Sequence, residues 1–132
     1  MKKLIYVSLG ALVAMSVIGA GLAIAHSKKY ETTTSIKFVG SSYGDSFNGK
    51  VKSEKGACID KRKVVVVRNR DDFKVGEDTT GDDGKWEIEL QAFADTGTYH
   101  AEVKKRTLKK DKKHSHICKA TDSGNAQVGA GA

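Results

Sequence analysis

The chain has 132 residues, 23 of them lysine or arginine against 16 acids, and a formal net charge of +7. That length suits one domain and excludes a multidomain array. Two cysteines and no Cys-x-x-Cys spacing exclude a redox pair of the thioredoxin kind.

Residues 1–25 read as a secretory signal peptide. Lys2 and Lys3 form a positive start, and Leu4 to Ala25 carries no charge. Ala23-Ile24-Ala25 has the small-x-small form of a cleavage site, followed by the polar His26-Ser27-Lys28-Lys29. No cysteine stands at the cut, which argues against a lipoprotein anchor. The apolar run also supports a second reading, an uncleaved anchor across a bilayer. Gly10, Gly19 and Gly21 weaken that helix. Either reading makes the remainder secreted or held at the cell surface.

Residues 26–31 read as a linker and 32–122 as a single β-sandwich domain. Past the leader the apolar residues recur with period two, not with a helical period. In Thr32–Val39, Ile36 and Phe38 share a face. In Phe47–Ser53, Phe47, Gly49 and Val51 do the same. Val64 to Val67, bounded by charges, suit a central strand covered on both faces. A weaker strand is expected near Gly76–Thr80. Lys85–Leu90 turns Trp86, Ile88 and Leu90 inward, and Thr98–Val103 turns Tyr99, Ala101 and Val103 inward. His116–Thr121 forms a further strand. Residues 123–132 read as a flexible tail, with Ala126–Val128 as a candidate last strand. Six to eight short strands with turns between them imply an all-β sandwich, with Trp86, Ile88, Leu90, Tyr99, Ala101, Val103, Val64, Val66, Phe47, Val51, Ile36 and Phe38 supplying most of its core.

A domain of this size buries only about two-thirds of its unfolded surface and gains from a covalent staple. In an exported chain Cys58 and Cys118 read as a disulfide. Such a bridge would close a loop of 60 sequence steps, from Cys58 to Cys118. The chain-entropy relation gives about 4 kcal/mol for such a loop. Two free buried thiols are the alternative.

The motifs follow a recognisable order. Phe47-x-Gly49-x-Val51 opens, then Cys58, Arg62-Lys63-Val64 and the valine strand. Asp78-Thr79-Thr80, Gly84-Lys85-Trp86, Gly97-Thr98-Tyr99-x-Ala101-x-Val103 and Cys118-Lys119-Ala120 complete it. Over Ile36 to Ala120 this resembles the transthyretin-like, carboxypeptidase-regulatory-like sandwiches of exported bacterial proteins. The resemblance implies a seven-stranded Greek-key sandwich with a structural, adhesive or accessory role. Its enzymatic branch, the hydroxyisourate hydrolases, ends in Tyr-Arg-Gly-Ser. This chain has no such motif, so that activity is not carried over.

Candidate chemistry is sparse. Counted from Asp78 as a calcium loop, Thr80, Asp82 and Glu89 fall on ligand positions, but Asp83 stands where the sharp-turn glycine belongs. The favoured reading is a β-hairpin with Asp83-Gly84 in a type I′ turn. A weak calcium contact at Asp82 and Asp83 is the alternative. Lys104, Lys105, Arg106, Lys109, Lys110, Lys112 and Lys113 crowd ten residues with one acid, Asp111. They read as a solvated loop or as a patch for anionic cell-surface polymers or membranes. No aromatic is interleaved to stack on bases, which argues against nucleic acid. His114 and His116 form His-x-His, two metal-type ligands on one face of an extended segment, short of a four-ligand site. No Gly-x-Ser-x-Gly or Ser/His/Asp set stands out, and no cofactor is called for. The expected role is non-catalytic: a structural or binding module.

Overall fold

The computed structural model describes residues 26–110 and 114–129. The expected leader, Lys112 and Lys113 lie outside them. No helix among the described residues is long and apolar enough to cross a membrane.

The described chain is an all-β sandwich. Its strands are β1 (His26–Tyr30), β2 (Thr33–Thr34), β3 (Lys37–Val39), β4 (Ser46–Lys52), β5 (Lys63–Arg68), β6 (Phe73–Thr79), β7 (Lys85–Glu89), β8 (Gly97–Val103), β9 (Arg106–Lys110), β10 (His114–Cys118) and β11 (Thr121–Val128). One layer runs β11-β8-β5-β6. In the other, β2 and β3 follow one another along one edge of β4, and β7 lies along the other edge. Counting β2 and β3 as one broken edge, the sandwich has the expected seven strand positions. A third sheet, β1-β10-β9, is attached at one end.

Period-two patterning explains the layers. Val64 and Val66 of β5, Tyr99, Ala101 and Val103 of β8, Phe47 and Val51 of β4, and Trp86 and Ile88 of β7 are buried together. Ile36, Phe38 and Leu90 pack against them, partly buried. Phe47 stacks in a tilted arrangement on Tyr99, with ring centroids 5.0 Å apart. The Tyr99 hydroxyl donates to the Asp95 carbonyl at 2.7 Å, the tyrosine-corner contact of Greek-key sandwiches. The Trp86 indole donates to Thr34 Oγ1 at 3.1 Å. Its ring lies over Gly49, where a Cβ would meet Trp86 at 2.7 Å as well as the Ser35 carbonyl, so only glycine fits there.

Three expectations are corrected. Residues 26–31 are not a plain linker: His26–Tyr30 forms β1, parallel to β10. The described part of residues 123–132 is not a plain tail: Thr121–Val128 forms β11 on the edge of β8, and Ala126 and Val128 are buried, while residues 130–132 lie outside the described residues. Ala126–Val128, the candidate last strand, is the C-terminal end of β11; small and polar residues hid the part before it, because Asp, Ser, Gly and Asn give little hydrophobic contrast. The Asp83-Gly84 stretch is not a type I′ hairpin. β6 pairs with β5 and β7 with β4, so the turn arches from one layer to the other. Gly84 N–H donates to the Gly81 carbonyl at 3.0 Å, and only Gly84 (φ 82°) takes the left-handed conformation.

One end of the sandwich is closed by Arg62, which is fully buried. Nη1 donates to Thr32 Oγ1 (3.0 Å) and the Cys58 carbonyl (2.7 Å). Nη2 donates to the carbonyls of Lys104 (2.8 Å) and Lys119 (2.9 Å). Nε has no partner. Burial, and then the nearby Arg106 cation, push the guanidinium below its ordinary pKa. Cys58 and Cys118 are joined by a disulfide beside it, with Cα atoms 5.3 Å apart.

Replacing Arg62 by alanine strands three carbonyls and a hydroxyl. Unsatisfied buried groups cost about 1–3 kcal/mol each, and water can reach the partly buried carbonyls of Lys104 and Lys119, so we expect Arg62→Ala to lose roughly 3–5 kcal/mol in urea unfolding. Arg62→Lys should recover only part, because an ammonium lacks the planar fork. A loss below about 1 kcal/mol for Arg62→Ala would contradict this role.

Candidate functional site

Among the described residues, the basic run is not wholly a loop. Arg106–Lys110 forms β9 and pairs antiparallel with β10, with an irregularity of register between His116 and Ile117. The parallel strand β1 adds Lys28 and Lys29 to the same sheet. Lys104 and Lys105 are exposed at its base. Arg106 donates from Nη1 to the Asp60 carbonyl at 2.6 Å, which ties the hairpin to the turn beside Cys58. Lys119 is neutralised by Glu31 at 2.6 Å, and Lys104 by Glu102 at 3.0 Å. The Nζ atoms of Lys28 and Lys55 each lie 5.6 Å from the Tyr30 ring centroid, a cation–π arrangement.

His114 and His116 alternate along β10 and so share a face, as expected. His116 stands in register between Lys28 of β1 and Lys109 of β9. Its ring lies 6.1 Å from that of Tyr30. Flanking lysines oppose a metal cation there. Among the described residues neither histidine joins a group of three metal-type ligands.

The acids of the arch serve the backbone. Asp83 Oδ1 accepts from Lys85 N–H at 3.0 Å, and Asp78 Oδ2 accepts from Glu87 N–H at 2.8 Å. Asp78 thereby occupies an N–H on the free edge of β7. Glu89 stands opposite Ser46 in the sheet, so it does not wrap back to a calcium loop.

Sequence reasoning missed the outer face of the four-stranded layer. There β5 presents Val65 and Val67, both buried beneath long charged side chains. A shallow groove of about 410 Å³ lies over them, lined by Lys63, Asp72, Lys74, Glu102 and Lys104. Glu77 pairs with Lys63 at 3.0 Å and with Lys74. Lys74, then Lys63, holds its carboxyl below the usual range. Glu102 is held low by Lys104 and then by His100. His100, Glu102 and Asp122 place one ligand-type atom each within 4.8 Å of one another. The His-x-Glu spacing on a strand was a usable signal for the first two. Nothing in the sequence announced that Asp122 lies beside them.

The opposite end of the sandwich carries exposed aromatic side chains on loops: Tyr43 is 96% exposed and Phe93 67%. Asp45 joins these loops, with its Oδ2 accepting from Ala94 N–H at 2.7 Å. Nearby, Arg68 holds Asp71 through paired hydrogen bonds of 2.9 and 2.7 Å and also reaches Asp95. No family model matches the chain, and no curated protein or solved structure does either.

The Arg68 hydrogen bond, ahead of that from Phe73 N–H, lowers the Asp71 pKa from 3.8 to about 2. A folded-state value below the unfolded one means stabilisation that is complete above the unfolded pKa and disappears as pH falls through the folded one. Carboxyl NMR titration should therefore give Asp71 a midpoint near 2. The stability advantage of the native protein over Asp71→Asn should shrink between about pH 4 and pH 2. A midpoint near 3.8 would contradict the pairing.

Proposed function

We propose that this chain is a non-catalytic, exported β-sandwich module of the transthyretin-like kind that binds anionic cell-surface polymers through its third sheet. The observation that carries the reading is that β1, β9 and β10 bring Lys28, Lys29, Arg106, Lys109 and Lys110 into one small sheet, with Lys105 at its base. Cations on paired strands cannot disperse as they would on a coil. Their mutual repulsion is relieved when an anionic polymer lies across them. Export is supported by the Cys58–Cys118 bond and by the charge and cleavage pattern of residues 1–25. The reading needs no pocket, since a polyanion is held by field and spacing rather than by enclosure. Such binding is salt-sensitive and of low selectivity.

Each surface cation contributes about 1 kcal/mol near an anionic surface. Replacing Lys109, Lys110, Lys112 and Lys113 by glutamine should therefore weaken binding to heparin by roughly several hundredfold at low salt and abolish retention at physiological salt. The melting temperature should not change. Equal retention of the variant would sink the proposal. Retention on anionic vesicles but not on heparin would assign the sheet to membranes.

A further inference from the structure

We propose that His100, Glu102 and Asp122 form a zinc-binding site on the outer face of the four-stranded sheet. β8 turns Tyr99, Ala101 and Val103 into the core, which leaves His100 and Glu102 on the opposite face. β11 runs antiparallel beside it and sets Asp122 directly opposite Glu102. The register of β11 then shifts between Asp122 and Asn125, the kind of irregularity that re-aims side chains at sheet edges.

The imidazole of His100 is oriented from behind. Asn69 donates from Nδ2 to Asn125 Oδ1 at 3.0 Å, so its own Oδ1 faces His100 Nδ1, 2.6 Å away. An amide oxygen only accepts, so Nδ1 carries the proton. That leaves Nε2 facing Glu102 Oε2 at 3.1 Å. A carboxylate also only accepts. Two lone pairs cannot share that gap without a cation between them, and the cation is a second proton or a metal. A ring nitrogen fixed by an outer carbonyl while the other faces carboxylates is the usual support of a metal-bound histidine.

Two further features favour the metal. Asp122 makes no side-chain hydrogen bond or ion pair among the described residues, and its carboxylate is exposed within reach of both neighbours. Lys104 occupies Glu102 Oε1 at 3.0 Å, which leaves Oε2 for a second cation. One imidazole nitrogen and two carboxylate oxygens suit zinc, with a water completing the open site, whereas calcium and magnesium prefer all-oxygen shells. Metal–ligand bonds of about 2.0–2.2 Å in a tetrahedron require donors roughly 3.3 Å apart. His100 and Glu102 already meet this, and a rotamer change of exposed Asp122 closes the remainder. Lys104 stands between this site and the root of the cationic sheet, and zinc binding does not depend on polymer binding there.

The purified protein is titrated calorimetrically with zinc chloride and, in parallel, with calcium chloride. One zinc site is expected and no calcium binding. Zinc affinity should fall at least tenfold in His100→Gln and in Asp122→Asn, and should be kept in the His114→Ala/His116→Ala double variant. Asp122 is exposed, so Asp122→Asn tests the site even if His100→Gln folds poorly. Lys104→Gln should tighten binding at least threefold by removing the competing cation from Glu102. Zinc affinity should fall with decreasing pH, because imidazole ligates only when that nitrogen is unprotonated. No zinc binding at millimolar metal, unchanged affinity in Asp122→Asn, or loss of the site in the His114/His116 variant would each overturn the proposal.

Discussion

A buried guanidinium with no carboxylate paired to it among the described residues sets the geometry of one whole end of this protein. Taking such a charge out of water costs several kcal/mol, and the cost is tolerable only if the two terminal nitrogens of the fork meet oxygens. Arg62 meets four, from Thr32, Cys58, Lys104 and Lys119. Those residues stand 4 to 57 positions away along the chain, so the fork closes only when several strand ends arrive together. Lysine offers no such planar set of donors. The backbone beside it is held equally tightly: Arg62 N–H donates to Thr80 Oγ1 at 2.8 Å, and the Arg62 carbonyl accepts from Thr80 N–H at 2.9 Å.

Several features follow from that convergence. Lys104 leads from β8 into the β9–β10 hairpin, and Lys119 follows Cys118 at its return. Holding both carbonyls fixes where the hairpin leaves the sandwich. The disulfide stands at the same point and joins the hairpin to the short 3₁₀ turn Gly56–Cys58. The third sheet is thus anchored covalently and by hydrogen bonds at its root, and its strands form a fixed platform.

β5 links this end to the other surfaces. Its inward side reads Arg62, Val64, Val66, Arg68, with apolar residues in the middle and a cation at each end. The two arginines are not equivalent. Arg68 is partly exposed and paired with Asp71 and Asp95, which raises its pKa, whereas burial lowers that of Arg62. The outward side gives Val65 and Val67, shielded by lysine stems rather than by another layer. Long side chains cover apolar floor while keeping their heads in water. The outer face is therefore a charged lattice over a greasy floor, and it is there that His100, Glu102 and Asp122 meet.

The sequence by itself determined the β class, the positions of the inner strands and nearly all of the core. Alternation of large apolar and charged residues is a local signal, and it survives without knowledge of neighbours. Trp86, Ile88 and Tyr99 were legible for that reason. The cysteine pairing was legible too, because two cysteines allow one bridge. The tertiary structure alone decided the rest. It decided that the arch at Gly84 crosses between layers, since strand partnership is set by packing and not by the turn residues. It made strands of residues 26–30 and 121–128, whose polar and small side chains carry little contrast but whose backbone groups need partners once the neighbouring edges exist. It gathered Arg62's acceptors and the His100–Glu102–Asp122 cluster from distant parts of the chain. Such juxtapositions depend on register, and register is a property of the assembled sheet, not of any one segment.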